Sequence, residues 1–365
     1  MYRHQPDYIL IGLIAFILCF GLIMLSSVSV IVSYEKFGDP NYLIKRQILF
    51  GLIPGLILLF FTSRTDYRQW KKYTLPLFII NVIFLILVFI PGLGESYGRA
   101  KSWINIFGIS FQPSELLKLT FILYLACWLE KREKEVTHFF YGFLSFLFFL
   151  SIISFLIILQ PDLGTLSIII LISLIIFLVA GAKIWHLLLA SLGILGLFFL
   201  LIRIAPYRLT RLVVFLNPEF DPQRAGYHLK QALLTVGSGG LLGQGLGFSR
   251  QKYLYLPEIA SDSIFAIIAE ELGFFFAAGL VILFLILMFR GLYLAKSSPD
   301  LFAKLVVVGI SSWFTFQAMI NIGGIIGLLP LTGLPLPFIS YGGTALTTSL
   351  AAVGILINIS TQTKK

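Results

Sequence analysis

Leu163–Ala180 reads LGTLSIIILISLIIFLVA, without one charged residue. A run of that length approaches the roughly 20 residues needed to cross a bilayer as a helix. It shows none of the short alternation of a membrane β-barrel strand. Working outward, the same pattern recurs. Apolar runs occupy 8–32, 46–61, 74–90, 113–129, 139–159, 163–180, 184–202, 263–289, 302–329 and 338–360. Gln160-Pro-Asp162 is a turn signal that separates the fifth run from the sixth. Across 365 residues, 58% are hydrophobic and 12% are charged. Soluble domains carry about 25% charged residues, so a soluble enzyme, a disordered chain and a collagen-like chain are excluded. The expected fold class is all-α: a polytopic integral membrane protein with ten transmembrane helices. Residues 1–365 are expected to form one membrane domain, with a large extracytoplasmic loop, 203–262, between helices seven and eight.

The net charge of +10 would suggest nucleic acid in a soluble protein. Here the basic residues sit between apolar runs, so membrane topology accounts for them and no nucleic-acid partner is expected. An even number of spans puts both termini on one side. Segments on that side carry fourteen Lys and Arg: Arg3, Arg64, Arg68, Lys71, Lys72, Lys131, Arg132, Lys134, Lys183, Arg290, Lys296, Lys304, Lys364 and Lys365. The short loops opposite hold only Lys36, Lys45, Arg46, Arg99 and Lys101. Both termini are therefore expected in the cytoplasm. Cys19 and Cys127 each lie in an apolar run and form no disulfide or metal framework. The glycine cluster 237–247 lacks the Gly-Lys-Ser/Thr ending of a phosphate-binding loop, and no zinc-hydrolase or nucleophile-elbow motif occurs.

The 203–262 loop is too long to be a simple connector. Residues 226–236 are expected to form a short amphipathic or re-entrant helix. Residues 237–247 are too rich in glycine for a regular one. Charges at membrane depth mark the candidate site. Glu115 and Lys118 lie one turn apart behind Pro113 and Ser114, a good helix start. They form either a structural ion pair or the wall of a polar cavity. Asp262 precedes the eighth run and is either a helix cap or a general base at the outer boundary. Arg203, Arg208, Arg211, Arg250 and Lys252 flank the loop and, with Lys118, suit a phosphorylated lipid headgroup.

Several stretches then resemble one family. These are Gly98-Arg-Ala-Lys-Ser-Trp103, Phe111-Gln-Pro-Ser-Glu-Leu-Leu-Lys118 and Gln160-Pro-Asp-Leu-Gly-Thr165. Further along come Gly237-Ser-Gly-Gly240, Gln251-Lys252, Leu256-Pro-Glu258 and the run from Ser261 to Gly273. Asn321-Ile-Gly323 and Gly333-Leu-Pro-Leu-Pro-Phe-Ile-Ser-Tyr-Gly-Gly343 close the series. Together they resemble the SEDS (shape, elongation, division and sporulation) glycosyltransferases of bacterial cell-wall synthesis, in family order over nearly the whole chain. His228 stands where the family pattern has Gln, and Ser102 where a basic residue is common. Ala205-Pro-Tyr-Arg208, Asn217-Pro218 and Ser261-Asp-Ser263 look more like the FtsW division branch, with a RodA-type elongation polymerase as the alternative.

The resemblance implies a peptidoglycan glycosyltransferase in the bacterial cytoplasmic membrane, acting on its extracytoplasmic face. It implies polymerisation of lipid II onto a nascent lipid-linked glycan, with undecaprenyl diphosphate as leaving group. It places the essential aspartate on Asp262 and the conserved acid and base on Glu115 and Lys118. Arg208, Arg211, Arg250 and Lys252, or a divalent cation such as Mg or Mn, are expected to steady the leaving pyrophosphate. No other cofactor is expected. Expected partners are a class B penicillin-binding protein and other division proteins. A lipid flippase and a scaffold are the competing functions. The substrate tail is expected to stay in hydrocarbon, in a groove entered from the side, because each CH2 drawn into water costs about 0.8 kcal/mol.

Overall fold

The structure is a computed structural model that describes residues 4–97, 100–106, 108–204, 206–217, 219–221 and 226–363. Among them are fourteen α-helices and one small sheet. Helix α1 (Tyr8–Val28) is capped by the Asp7 carboxylate and leads into the short α2 (Val30–Phe37). The second span is one helical rod assembled from α3 (Tyr42–Gln47), a π-helical turn (Ile48–Leu52) and α4 (Ile53–Arg64). Next come α5 (Tyr67–Leu87), α6 (Pro113–Lys131), α7 (Ser145–Leu159), α8 (Leu163–Val179) and α9 (Ile184–Ile204). The cap holds α10 (Pro206–Leu216) and α11 (Tyr227–Ser238). Three last spans are α12 (Ile264–Lys296), α13 (Leu301–Ile325) and α14 (Gly343–Ser360).

Eight of these helical segments are long and apolar enough to cross a membrane. Two more follow the same up-and-down order. Helix α8 is apolar but only 17 residues long, and α6 is interrupted by Glu115, Lys118, Glu130 and Lys131. The alternation puts Asp262 and the starts of α6, α8 and α14 on one face. The start of α1 and the end of α14 meet on the other, where Ser360 Oγ accepts from the Asp7 amide at 3.1 Å. That face also holds the Arg290–Asp7 pair (2.7 Å) and Lys71 between Glu130 (2.7 Å) and Asp300 (3.5 Å).

Lipid leaves little hydrophobic drive between helices, so close packing and buried hydrogen bonds must hold the bundle. Helix α13 is buried along most of its length, with α12, α6 and α8 packed around it. Helix α14 lies against α4. There a Cβ at Gly354 would collide with the Thr62 hydroxyl and with the α4 backbone. The absence of that Cβ lets Thr62 Oγ1 donate to the Ala351 carbonyl at 3.0 Å.

A three-stranded antiparallel sheet joins α5 to α6 on the Asp262 face: β1 (Gly94–Tyr97), β2 (Ala100–Ile106) and β3 (Ile109–Phe111). The strands are too short, and too mixed in polarity, for hydropathy to show them, so the all-helical core carries this addition.

Helix α12 is broken. Gly273 has φ +80° and ψ −178°, a conformation that glycine adopts at little cost. The break frees carbonyls and amides inside a span, where water cannot satisfy them. The glycine-rich turn after α11 does so instead. Gln244 and Gly245 amides donate to the Glu270 and Glu271 carbonyls at 3.0 and 2.9 Å. The Phe274 amide donates back to Gly240 O at 2.9 Å. The loop is thus a folded cap, with α11 where the amphipathic stretch predicts a helix and turns where the glycines cluster.

Candidate active site

Asp262 sits between a tight turn and the start of α12. The Ser261 and Ser263 amides both donate to the Glu258 carbonyl, at 3.1 and 3.2 Å. Ser263, not Asp262, is the N-cap residue of α12. The Asp262 carbonyl accepts from the Asn321 amide group at 2.7 Å, and that group also donates to Leu334 O at 2.7 Å. Next door, the Tyr341 amide donates to Ala260 O at 2.8 Å. The segment between α13 and α14 therefore runs beneath Asp262, and a Cβ placed on Gly333 would stand 3.8 Å from its Oδ2.

The Asp262 side chain is buried and makes no ion pair among the described residues. Among the described residues, the side chain in hydrogen-bond range of its carboxylate is the Ser263 hydroxyl at 3.4 Å. Burial, reinforced by the negative charge of Glu258, pushes its pKa up to about 7. The Ser263 hydroxyl and the positive charge of Arg211 oppose that rise. A carboxylate titrating near neutrality is suited to taking a proton in a transition state.

His228 on α11 faces the same spot, its Nε2 2.7 Å from Ser263 Oγ. Burial, helped by Arg211 and opposed by the negative charge of Glu258, lowers its pKa. Through this contact His228 orients the hydroxyl that touches Asp262. Replacing it with alanine forfeits about 1 kcal/mol of hydrogen bonding and should slow glycan synthesis about fivefold. His228→Gln, which keeps an amide at that reach, should restore most of the rate. Steady-state glycan synthesis per folded protein checks both.

Glu115 and Lys118 are enclosed rather than presented to an open pocket. Lys118 Nζ lies 2.7 Å from Glu115 Oε1 and 2.7 Å from Gln317 Oε1, with the Trp313 ring 5.0 Å away. Trp313 Nε1 donates to the same Gln317 oxygen at 2.8 Å, and Gln317 Nε2 donates to Pro335 O at 2.8 Å. Gln317 and Asn321 are one turn apart on α13, and the backbone groups they hold, Pro335 O and Leu334 O, are consecutive. One polar seam thus joins the Glu115–Lys118 pair to the backbone of Asp262. Beside it, Asp162 caps α8 through the Thr165 amide (3.0 Å) and lies within 3.5 Å of Ser114 Oγ. Gln317 and Trp313 carry one sequence signal, polar side chains repeated at i, i+4 inside an apolar span.

The four basic candidates separate. Arg211 is exposed on α10, donates to Leu331 O at 3.3 Å and exerts its charge on Asp262. Arg250 is exposed, and its backbone amide donates to Glu270 Oε1 at 3.2 Å. Lys252 is buried inside the cap, bonded to Gly247 O and 3.4 Å from Glu271. Its charge is directed inward. The Arg208 side chain lies outside the described residues. A divalent cation would find Asp262 and Glu258 here. Among the described residues no group of three or more His, Cys, Asp or Glu gathers to hold a metal, so no step is assigned to one.

The family model for FtsW, RodA and SpoVE, described as cell cycle protein, matches residues 8–365. The chain belongs to this SEDS family. It is 43% identical over 360 residues to stage V sporulation protein E of Bacillus subtilis, covering 98% of each chain. It is 37% identical to a probable peptidoglycan glycosyltransferase FtsW of Geobacter sulfurreducens, covering 99% of this chain and 96% of that one. Among solved structures, a chain of a peptidoglycan synthase complex that coordinates polymerization and crosslinking superposes with TM-score 0.79 at 29% identity, covering 97% of each. The RodA of Thermus thermophilus superposes with TM-score 0.72 at 27% identity, covering 99% of this chain and 98% of that one. This SEDS chain is a multi-pass membrane protein and a peptidoglycan glycosyltransferase.

Proposed function

We propose that the chain polymerises lipid II by inverting glycosyl transfer, with Asp262 as the general base. The observation that carries this reading is the buried carboxylate of Asp262, without an ion pair among the described residues and with its pKa pushed up to about 7. The 4-hydroxyl of the acceptor sugar attacks the anomeric carbon of the donor. Its proton passes to Asp262 as the new C–O bond forms and the bond to the lipid pyrophosphate breaks. In-line displacement turns the α-linked donor into a β-linked product. Pyrophosphate is a good leaving group and needs no second carboxylate as acid. Arg211 and Arg250, exposed on the cap, supply positive charge for it. The face bearing Asp262 is then extracytoplasmic and the ends of the chain are cytoplasmic, as the distribution of Lys and Arg favours.

The partner is a class B penicillin-binding protein, a reading supported by the synthase complex that the fold matches. Identity to the sporulation and FtsW relatives exceeds that to the solved RodA, and favours a division or sporulation role over rod elongation. The test is purified chain with its penicillin-binding partner, given lipid II in vesicles. Lipid-linked glycan strands are expected. Transfer of intact lipid II across the bilayer without polymer would replace this reading with a flippase.

A further inference from the structure

Gly239–Ser249 reads GGLLGQGLGFS, a turn segment with no charged residue. Its apolar side chains point away from the protein. Leu242 is 82% exposed and Phe248 73%, and Leu241 and Leu246 are more than half exposed. Facing water, such a group would be a costly apolar patch on a loop. Its position in the fold gives it another neighbour. The segment's backbone is bonded to the break in α12, through Gly240 O to the Phe274 amide and through Leu241 O to the Phe275 amide. Phe274, Phe275 and Phe276 are exposed on a membrane span, so the surface they share with the hairpin is continuous with the lipid-facing one.

Depth can be counted along the helix. Arg290 pairs with Asp7, the cap of the first span, which marks the far boundary of the bilayer. From Arg290 to Phe274 the helix rises about 24 Å at 1.5 Å per residue. A hydrocarbon core is about 30 Å thick. The break therefore lies within the hydrocarbon, a few ångström below the boundary on the Asp262 face. Irregular backbone is tolerated at that depth only when protein satisfies it. The reciprocal bonds between hairpin and broken helix meet that requirement.

We propose that the Gly239–Phe248 hairpin is immersed in the lipid leaflet on the Asp262 face, with Leu241, Leu242, Leu246 and Phe248 in hydrocarbon. The hairpin thereby holds the short half-helix that begins beside Asp262 at a fixed depth under the headgroups. The proposal rests on the span assignment and not on the chemistry given to Asp262.

The test uses the full chain with Cys19 and Cys127 replaced by alanine, in vesicles of phosphatidylethanolamine and phosphatidylglycerol. A nitroxide is attached at Leu242→Cys, with Phe276→Cys as the lipid reference and Lys134→Cys as the water reference. Collision with oxygen and with a water-soluble nickel chelate is read by electron paramagnetic resonance. The Leu242 label is expected to match Phe276, with strong oxygen and weak nickel broadening. A label that matches Lys134 would overturn the proposal in favour of a solvated loop. A label shielded from both reagents would overturn it in favour of a protein contact. If Leu242→Cys does not fold, Phe248→Cys is read in the same way.

Discussion

Asp262→Asn is expected to fold, bind its partner, make almost no glycan, and yet resist heat better than the parent at pH 8. The two halves of that result share one cause. As a base, the carboxylate contributes about 100-fold or more to the rate, and an amide of the same shape contributes none of it. As a buried group, the ionised carboxylate is a burden on the fold. Its pKa is raised from 3.8 to about 7, so the folded chain holds a proton that the unfolded chain has released. Stability therefore falls as pH rises from 3.8 towards 7, then levels off. A rise of that size corresponds to about 4 kcal/mol at the plateau. Asn carries no such deficit. The stability advantage of the variant should grow by about 2–3 kcal/mol between about pH 5 and pH 8. Parent activity should fall tenfold per pH step as pH drops below about 7. Single-turnover glycan synthesis and thermal melting at both pH values check this. A variant rate within a few-fold of the parent would sink the base assignment. So would an advantage that does not change with pH.

The bundle was legible because membrane burial writes itself into composition. A helix among lipids needs apolar side chains on nearly every face, so runs such as Leu163–Val179 stand out without any periodicity. Their ends were less legible. Helix α5 begins at Tyr67, seven residues before its apolar run, because Arg68, Lys71 and Lys72 continue the helix into the headgroup layer. The first run divides at Ser29 into α1 and α2, inside an apolar run that continues to Val32. The break at Gly273 was hidden for a related reason. Glycine inside a span is common, and only the hairpin bonded to it reveals a left-handed residue. Charges at membrane depth pointed to Asp262, Glu115 and Lys118. Of the uncharged residues that connect them, Asn321 stood only within a family motif and Gln317 only at i, i+4 spacing, and neither could be joined to the charges until the fold placed both beside the 334–335 backbone.

Lys118→Met should be the most damaging single change in that seam. It leaves the Glu115 carboxylate buried, with Oε2 already lacking a protein partner and Oε1 now losing its cation. Breaking a buried pair in this way costs about 3–5 kcal/mol. Glu115→Gln is gentler, because Lys118 keeps the Gln317 oxygen and the Trp313 ring. Neither single variant separates folding from function. The double variant Glu115→Gln/Lys118→Met does. It removes both charges, so no ion is left stranded, and its thermal stability should return to within about 2 kcal/mol of the parent. Its glycan synthesis per folded molecule should stay at least about tenfold low. Lys118 fixes the Gln317 oxygen, and Gln317 and Asn321 together hold consecutive carbonyls of the segment beneath Asp262. Without the cation, that segment and the carboxylate above it lose their registration, which a stable hydrophobic replacement cannot supply. Parent-like synthesis by the stable double variant would reduce the pair to a folding device. A loss confined to the catalytic rate, with the partner still bound, would tie it to the placement of Asp262.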